Sequence, residues 1–179
     1  DDIVVAGSAG GGVMQLRPDQ AGKQWRFKCA GLKAPVVRDG NFVYVSSVDT
    51  KLYKLDAFSG ASPWLTPFQA GKPLDTSIDV GSKTVYQYAG KNGLYSVDKE
   101  TGKQVWNIPT GRKILAEDNP KAYVWANPSR LIVLENLTGR RIFTVNMAGI
   151  TNVAYNANDS LMYFADANGR VICLAPQDY

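Results

Sequence analysis

The chain has no histidine among its 179 residues. That absence excludes Ser-His-Asp and Cys-His nucleophile systems, histidine acid–base catalysis and histidine-ligated metal sites. Cysteine is scarce too. Cys29 and Cys173 stand far apart, and no Cys-x-x-Cys spacing exists to hold zinc or run dithiol exchange. A disulfide between them requires the first and last parts of the chain to be neighbours, so free thiols are the expectation. No apolar run approaches the roughly 18 residues that a membrane-spanning helix needs. The start, Asp1-Asp2-Ile3, has no initiator methionine, basic leader region or apolar leader core. It reads as a removed leader or as a piece of something longer. A net charge of +4 is mild, and the basic residues are scattered, which argues against nucleic acid as a partner.

What is present is one phrase stated four times. Met14-Gln15-Leu16-Arg17-Pro18 leads through Gly22 to Trp25, and Leu52-Tyr53-Lys54-Leu55-Asp56 leads through Ser59-Gly60 to Trp64. Leu94-Tyr95-Ser96-Val97-Asp98 leads through Thr101-Gly102 to Trp106, and Leu131-Ile132-Val133-Leu134-Glu135 leads through Thr138-Gly139 to Phe143. The glycines recur at roughly 40 residues, the range of propeller blades. A fifth copy begins at Val171-Ile172-Cys173-Leu174.

Within each copy the apolar residues alternate with period two between turn residues, which predicts short antiparallel strands and no helices. Labelled A to D, the second repeat reads as Ala34–Val37, Phe42–Ser46, Lys51–Asp56 and Pro63–Thr66. The third reads as Ser77–Val80, Thr84–Ala89, Gly93–Asp98 and Gln104–Ile108. The fourth reads as Ile114–Glu117, Ala122–Ala126, Arg130–Glu135 and Arg141–Val145. The chain enters at a B strand (Ile3–Ser8) and leaves at a C strand (Arg170–Leu174), for about 18 strands. The predicted fold is all-β, a β-propeller of four-stranded antiparallel blades with four to five blades present. One domain over 1–179 divides into approximate repeats 3–33, 34–71, 72–111, 112–149 and an incomplete 150–179. A fragment of a larger propeller is the simplest account, or a chain whose open strand edges pair with another chain.

The recurrent turn has a physical logic. Gly22, Gly60, Gly102 and Gly139 supply the positive φ of a tight C–D turn, and the preceding Ser or Thr bonds its backbone. Trp25, Trp64, Trp106 and Phe143 then fall on the outer strand and fill the gap between blades, with each indole N–H seeking an acceptor. They read as packing residues.

The segments 52–64 and 94–106 resemble the tryptophan-docking repeat of pyrroloquinoline-quinone-type β-propellers, and the resemblance covers nearly the whole chain. The copies at 14–25 and 131–143 are weaker, with Arg17 or Glu135 near the Asp position and Phe143 in place of Trp. The resemblance implies a non-enzymatic scaffold that binds protein or peptide, and a bacterial, periplasmic or otherwise extracytoplasmic setting. No catalytic, metal or cofactor residue is assigned. The quinone and calcium enter only on the alternative that the chain is part of a quinone-dependent dehydrogenase, whose vicinal cysteine pair is absent here. A WD-type adaptor ranks last, because strand C does not end in Trp-Asp.

Loop charge adds a polarity. In a propeller the D–A and B–C turns share one face. Here the D–A connections carry Lys33, Lys72, Arg112 and Lys113, and the B–C turns carry Lys51, Lys91, Arg130 and Arg170. Acids such as Asp19, Asp39, Asp79, Asp98, Glu117 and Asp159 gather on the other face. A positive face of this kind steers an acidic partner. The sequons at Asn136 and Asn158 read as chance matches.

Overall fold

The computed structural model describes residues 3–17, 23–118, 120–155 and 160–176. Gly22, Asp19, Asn158 and Asp159 lie outside these. The strands form five antiparallel sheets in chain order. The first holds β1 (Val4–Gly7), β2 (Gly12–Leu16) and β3 (Lys23–Lys28). The second holds β4 (Val37–Asp39), β5 (Phe42–Ser46), β6 (Lys51–Asp56) and β7 (Phe68–Gln69). The third holds β8 (Asp79–Val80), β9 (Thr84–Tyr88), β10 (Leu94–Asp98) and β11 (Gln104–Ile108), with a short 3₁₀ turn at Gly90–Asn92. The fourth is β12 (Gly111–Asp118), β13 (Lys121–Ala126), β14 (Arg130–Glu135) and β15 (Arg141–Asn146). The fifth is β16 (Ile150–Tyr155), β17 (Met162–Asp166) and β18 (Val171–Leu174). This is the up-and-down meander of a partial propeller, three strands at each end and four in each sheet between.

Four apolar clusters fill the four gaps between successive sheets. Val13, Trp25, Val43 and Leu55 join the first to the second, and Tyr44, Trp64, Leu74 and Val85 join the second to the third. Tyr86, Trp106, Val124 and Ile132 join the third to the fourth, and Leu131, Val133, Met162 and Phe164 join the fourth to the fifth. The middle strands are therefore buried almost continuously and not on alternate residues: Val43 to Ser46 in β5 and Leu131 to Leu134 in β14 are all buried. Alternation marks a sheet with one wet face, whereas an inner blade has neighbours on both. Trp125 belongs to this packing, its ring 6.1 Å from that of Phe164.

Three strands differ from expectation. The inner strand of the second repeat is Val37–Asp39, not Ala34–Val37, because Pro35 brings no N–H to a ladder there. In the second repeat the outer strand is Phe68–Gln69, not Pro63–Thr66. Trp25, Trp106 and Phe143 stand two residues before the partners of Val13, Leu94 and Leu131 in the ladder, but Trp64 stands four before the partner of Leu52. The two extra residues, between Pro63 and Pro67, loop outward and leave Leu65 99% exposed. Proline lacks the N–H that a ladder needs, so the strand resumes only after Pro67. The inner strand of the fourth repeat is longer than expected, because Gly111 pairs with Ala126 and Lys113 with Trp125 within β12, with Arg112 bulged between them, instead of forming a loop.

Both cysteines are free thiols. Cys29 is half-buried and its Sγ donates to the Gly11 carbonyl at 3.4 Å, and burial pushes its thiol up; Cys173 is exposed on β18. A disulfide reagent at mildly alkaline pH is expected to modify Cys173 first and Cys29 about tenfold more slowly. Equal rates in a stopped-flow absorbance trace would contradict this placement.

Candidate functional site

The repeat motif assembles into an interlock between neighbouring sheets. The Trp25 Nε1–H donates to the Ala57 carbonyl at 3.0 Å, that of Trp64 to Lys99 at 2.9 Å and that of Trp106 to Asn136 at 2.8 Å. Each acceptor lies in the C–D turn of the following repeat. The glycine of that turn lies under the ring: a Cβ on Gly60 or Gly102 would come within 2.6 Å of the Trp25 or Trp64 indole, and one on Gly139 within 2.4 Å of Trp106 Cβ. All three glycines have φ of +72°, so conformation and proximity require the same residue. The turn is tied by its acid. Asp56 Oδ1 accepts the Ser59 N–H and hydroxyl at 2.8 Å, and these bonds hold its carboxyl below the usual range. Phe143, in the fourth repeat, is 47% exposed.

Sequence reasoning missed two members of this interface. Lys54 is only 6% exposed, with Nζ 3.8 Å from the Phe42 ring centre and donating to the Lys99 carbonyl at 2.7 Å. Burial, then the nearby Lys99 charge, push its ammonium below the ordinary lysine range. Lys99 Nζ in turn meets Asp39 Oδ2 at 2.7 Å. The signal was the variable position of the Leu-Tyr-x-Leu-Asp phrase, which points into the gap between sheets. Asn136 is the second, 6% exposed, donating from Nδ2 to Glu117 at 2.6 Å and accepting from the Tyr86 hydroxyl at 3.0 Å. A side chain so engaged is no glycosylation acceptor.

Backbone bonds draw the turns into two faces. On one, Val48 N–H donates to Gly31 O, Ala70 to Thr50 and Asn127 to Thr110, joining B–C turns to D–A connections. On the other, Ala57 donates to Asn41, Lys99 to Lys83 and Asn136 to Pro120, joining C–D turns to A–B turns. Each face has a cavity. The first, about 460 Å³, is lined by Tyr88, Lys91, Thr110, Arg112 and Asn127 between the third and fourth sheets. The second, about 370 Å³, is lined by Asp79, Ser82, Glu117 and Tyr155. There the Tyr155 hydroxyl donates to Asp79 at 2.7 Å, and Ser82 donates to Glu117 from its N–H at 2.7 Å and its hydroxyl at 3.0 Å. Burial pushes the Asp79 carboxyl up.

Of the eight basic residues, the structure brings Lys91 and Arg112 to one cleft. Lys113 instead sits over the Tyr155 ring at 4.5 Å. Lys33, Lys72, Arg130 and Arg170 are exposed on their separate turns, and Lys51 is half-buried at the start of β6. Among the described residues no group of three or more His, Cys, Asp or Glu could hold a metal, and no helix is long and apolar enough to cross a membrane.

The family model described as outer membrane protein assembly factor BamB matches this chain over 9–107 and again over 68–178. The chain belongs to that PQQ-like repeat family. Among solved structures, BamB from Moraxella catarrhalis is 19% identical with a TM-score of 0.72, covering 95% of this chain and 57% of its own. The chain thus spans little more than half the length of that relative. The computationally designed Ika8 protein is similar at 16% identity and TM-score 0.68, covering 98% of this chain and 56% of its own. The β-propeller domain of Cps50 (Swd1) from Myceliophteria thermophila follows at 12% and 0.65, covering 93% and 59%. These likenesses show the propeller fold. No curated protein sequence matches the chain.

Proposed function

We propose that this member of the BamB-type family is a non-catalytic scaffold that binds an acidic protein segment through the face of its D–A and B–C turns. An extracytoplasmic, outer-membrane-associated setting accords with the family's description as an assembly factor. One observation carries the reading. Among the described residues Lys91 and Arg112 line a cleft with no ion pair, while the carboxylates of the opposite cavity are already hydrogen-bonded. Exposed cations without an ion pair favour an acidic partner and speed its encounter.

The test is binding of a fluorescent, glutamate-rich peptide as a function of salt. Neutralising Lys33, Lys72, Lys91 and Arg112 together to glutamine is expected to weaken binding roughly tenfold at low salt and to flatten the salt dependence. Unchanged affinity at low salt overturns the proposal.

A further inference from the structure

We infer that the cleft between the third and fourth sheets is a carboxylate-binding site read by the Arg112 guanidinium, an inference that rests on the loop-face reading above. The Arg112 Cζ lies 5.3 Å from the centre of the Tyr88 ring. Tyr88 packs partly buried against the apolar cluster between the third and fourth sheets, and its backbone is fixed by pairing with Leu94 and by a bond from the Gln87 side-chain amide to its carbonyl at 2.9 Å. A guanidinium over an aromatic face is oriented and partly desolvated while its in-plane N–H groups stay free. Apart from the contact of Arg112 with the Tyr88 ring, neither Arg112 nor Lys91 makes a side-chain hydrogen bond or ion pair among the described residues.

The rest of the lining suits the same ligand. Lys91 projects from the 3₁₀ turn at Gly90–Asn92 as a second cation, and Thr110 and Asn127 add a hydroxyl and a side-chain amide. The backbone bond from Asn127 to the Thr110 carbonyl, 2.8 Å, ties the two lips of the fourth sheet together. No carboxylate lines the cleft. Donors in excess, no acid and one planar fork describe a place for two oxygens on one carbon, which a fork binds in two parallel bonds. The other basic residues of this face lack that arrangement: Lys33, Lys51 and Lys72 are single ammonium groups, Lys113 is turned to Tyr155, and neither Arg130 nor Arg170 lies over an aromatic ring among the described residues.

A peptide offers a carboxylate from an Asp or Glu side chain or from its C-terminus. Fluorescence anisotropy at low salt with two probes separates them: a C-amidated peptide with internal glutamates, and its glutamine counterpart with a free C-terminal carboxylate. The wild type is expected to bind one or both, and the one bound names the source. Arg112→Lys keeps the charge but loses the fork, and is expected to weaken the bound probe about tenfold, against about twofold for Lys33→Gln. A melt monitored by circular dichroism, unchanged for both variants, ties the loss to the site. If Arg112→Lys binds like the wild type, the carboxylate site is wrong while the loop-face reading stands. If the wild type binds neither probe, both fall.

Discussion

Trp64→Ala is expected to remove about 3–5 kcal/mol of stability, the range for deleting a buried large aromatic. The indole is 3% exposed, packs 6.1 Å from the Tyr44 ring and covers Gly102 of the next repeat. Its loss opens a cavity between the second and third sheets that the strands, held in their ladders, cannot collapse to fill. The Lys99 carbonyl keeps the Lys54 ammonium as a donor, so the loss comes mainly from packing and not from an orphaned acceptor. A domain of this size has in all some 5–15 kcal/mol to lose, so the variant sits near the edge of folding. Urea denaturation reads the effect, and a loss below about 1 kcal/mol would show that the gap between sheets is not held by this ring. Trp64→Phe keeps most of the area and isolates the N–H.

Gly102→Ala attacks the same contact from its other side. At φ of +72° an alanine is strained by about 1–2 kcal/mol, and its Cβ would sit 2.6 Å from Trp64 Cδ2. Overpacking against an immobile ring adds about 1–3 kcal/mol, so roughly 2–5 kcal/mol in total is expected. Gly40→Ala separates the two parts, because Gly40 has φ of +56° with nothing within 4 Å of its added Cβ. It should show the backbone strain alone. Combining Gly102→Ala with Trp64→Ala removes the clash, so the double variant should be more stable than the sum of the two losses predicts. Strict additivity in the denaturation midpoints would mean that glycine and ring do not meet.

The recurrence of Gly60, Gly102 and Gly139 made the blade count legible, because only a left-handed turn in a repeated place forces the same residue. Strands B and C could be placed to within a residue or two for the same reason, bracketed as they are by turns of fixed chemistry. The outer strand of the second repeat was not legible. Trp64 marked it, but the Pro63–Pro67 detour lets the ring keep its seat while the backbone leaves the ladder. The inner strand β12 looks shorter in the sequence because Arg112 and Lys113 resemble loop residues, yet each finds an aromatic ring to lie on. Lys54 was invisible for a related reason: a lysine in an exposed-looking phrase is buried once the next turn supplies a carbonyl. Charge could be assigned to faces, but the meeting of Lys91, Arg112 and Tyr88 depends on how neighbouring sheets splay, which no single repeat encodes.

The indole of one repeat and the carbonyl it seeks always belong to different repeats. The second and third repeats therefore each bring a plug for the successor and an outlet for the predecessor. Tandem duplication of such a unit yields a copy that fits its neighbours at both ends without further mutation. Gene arrays of this kind can lengthen or shorten by whole modules while each new junction is already solved, and selection is left free to work on the loops.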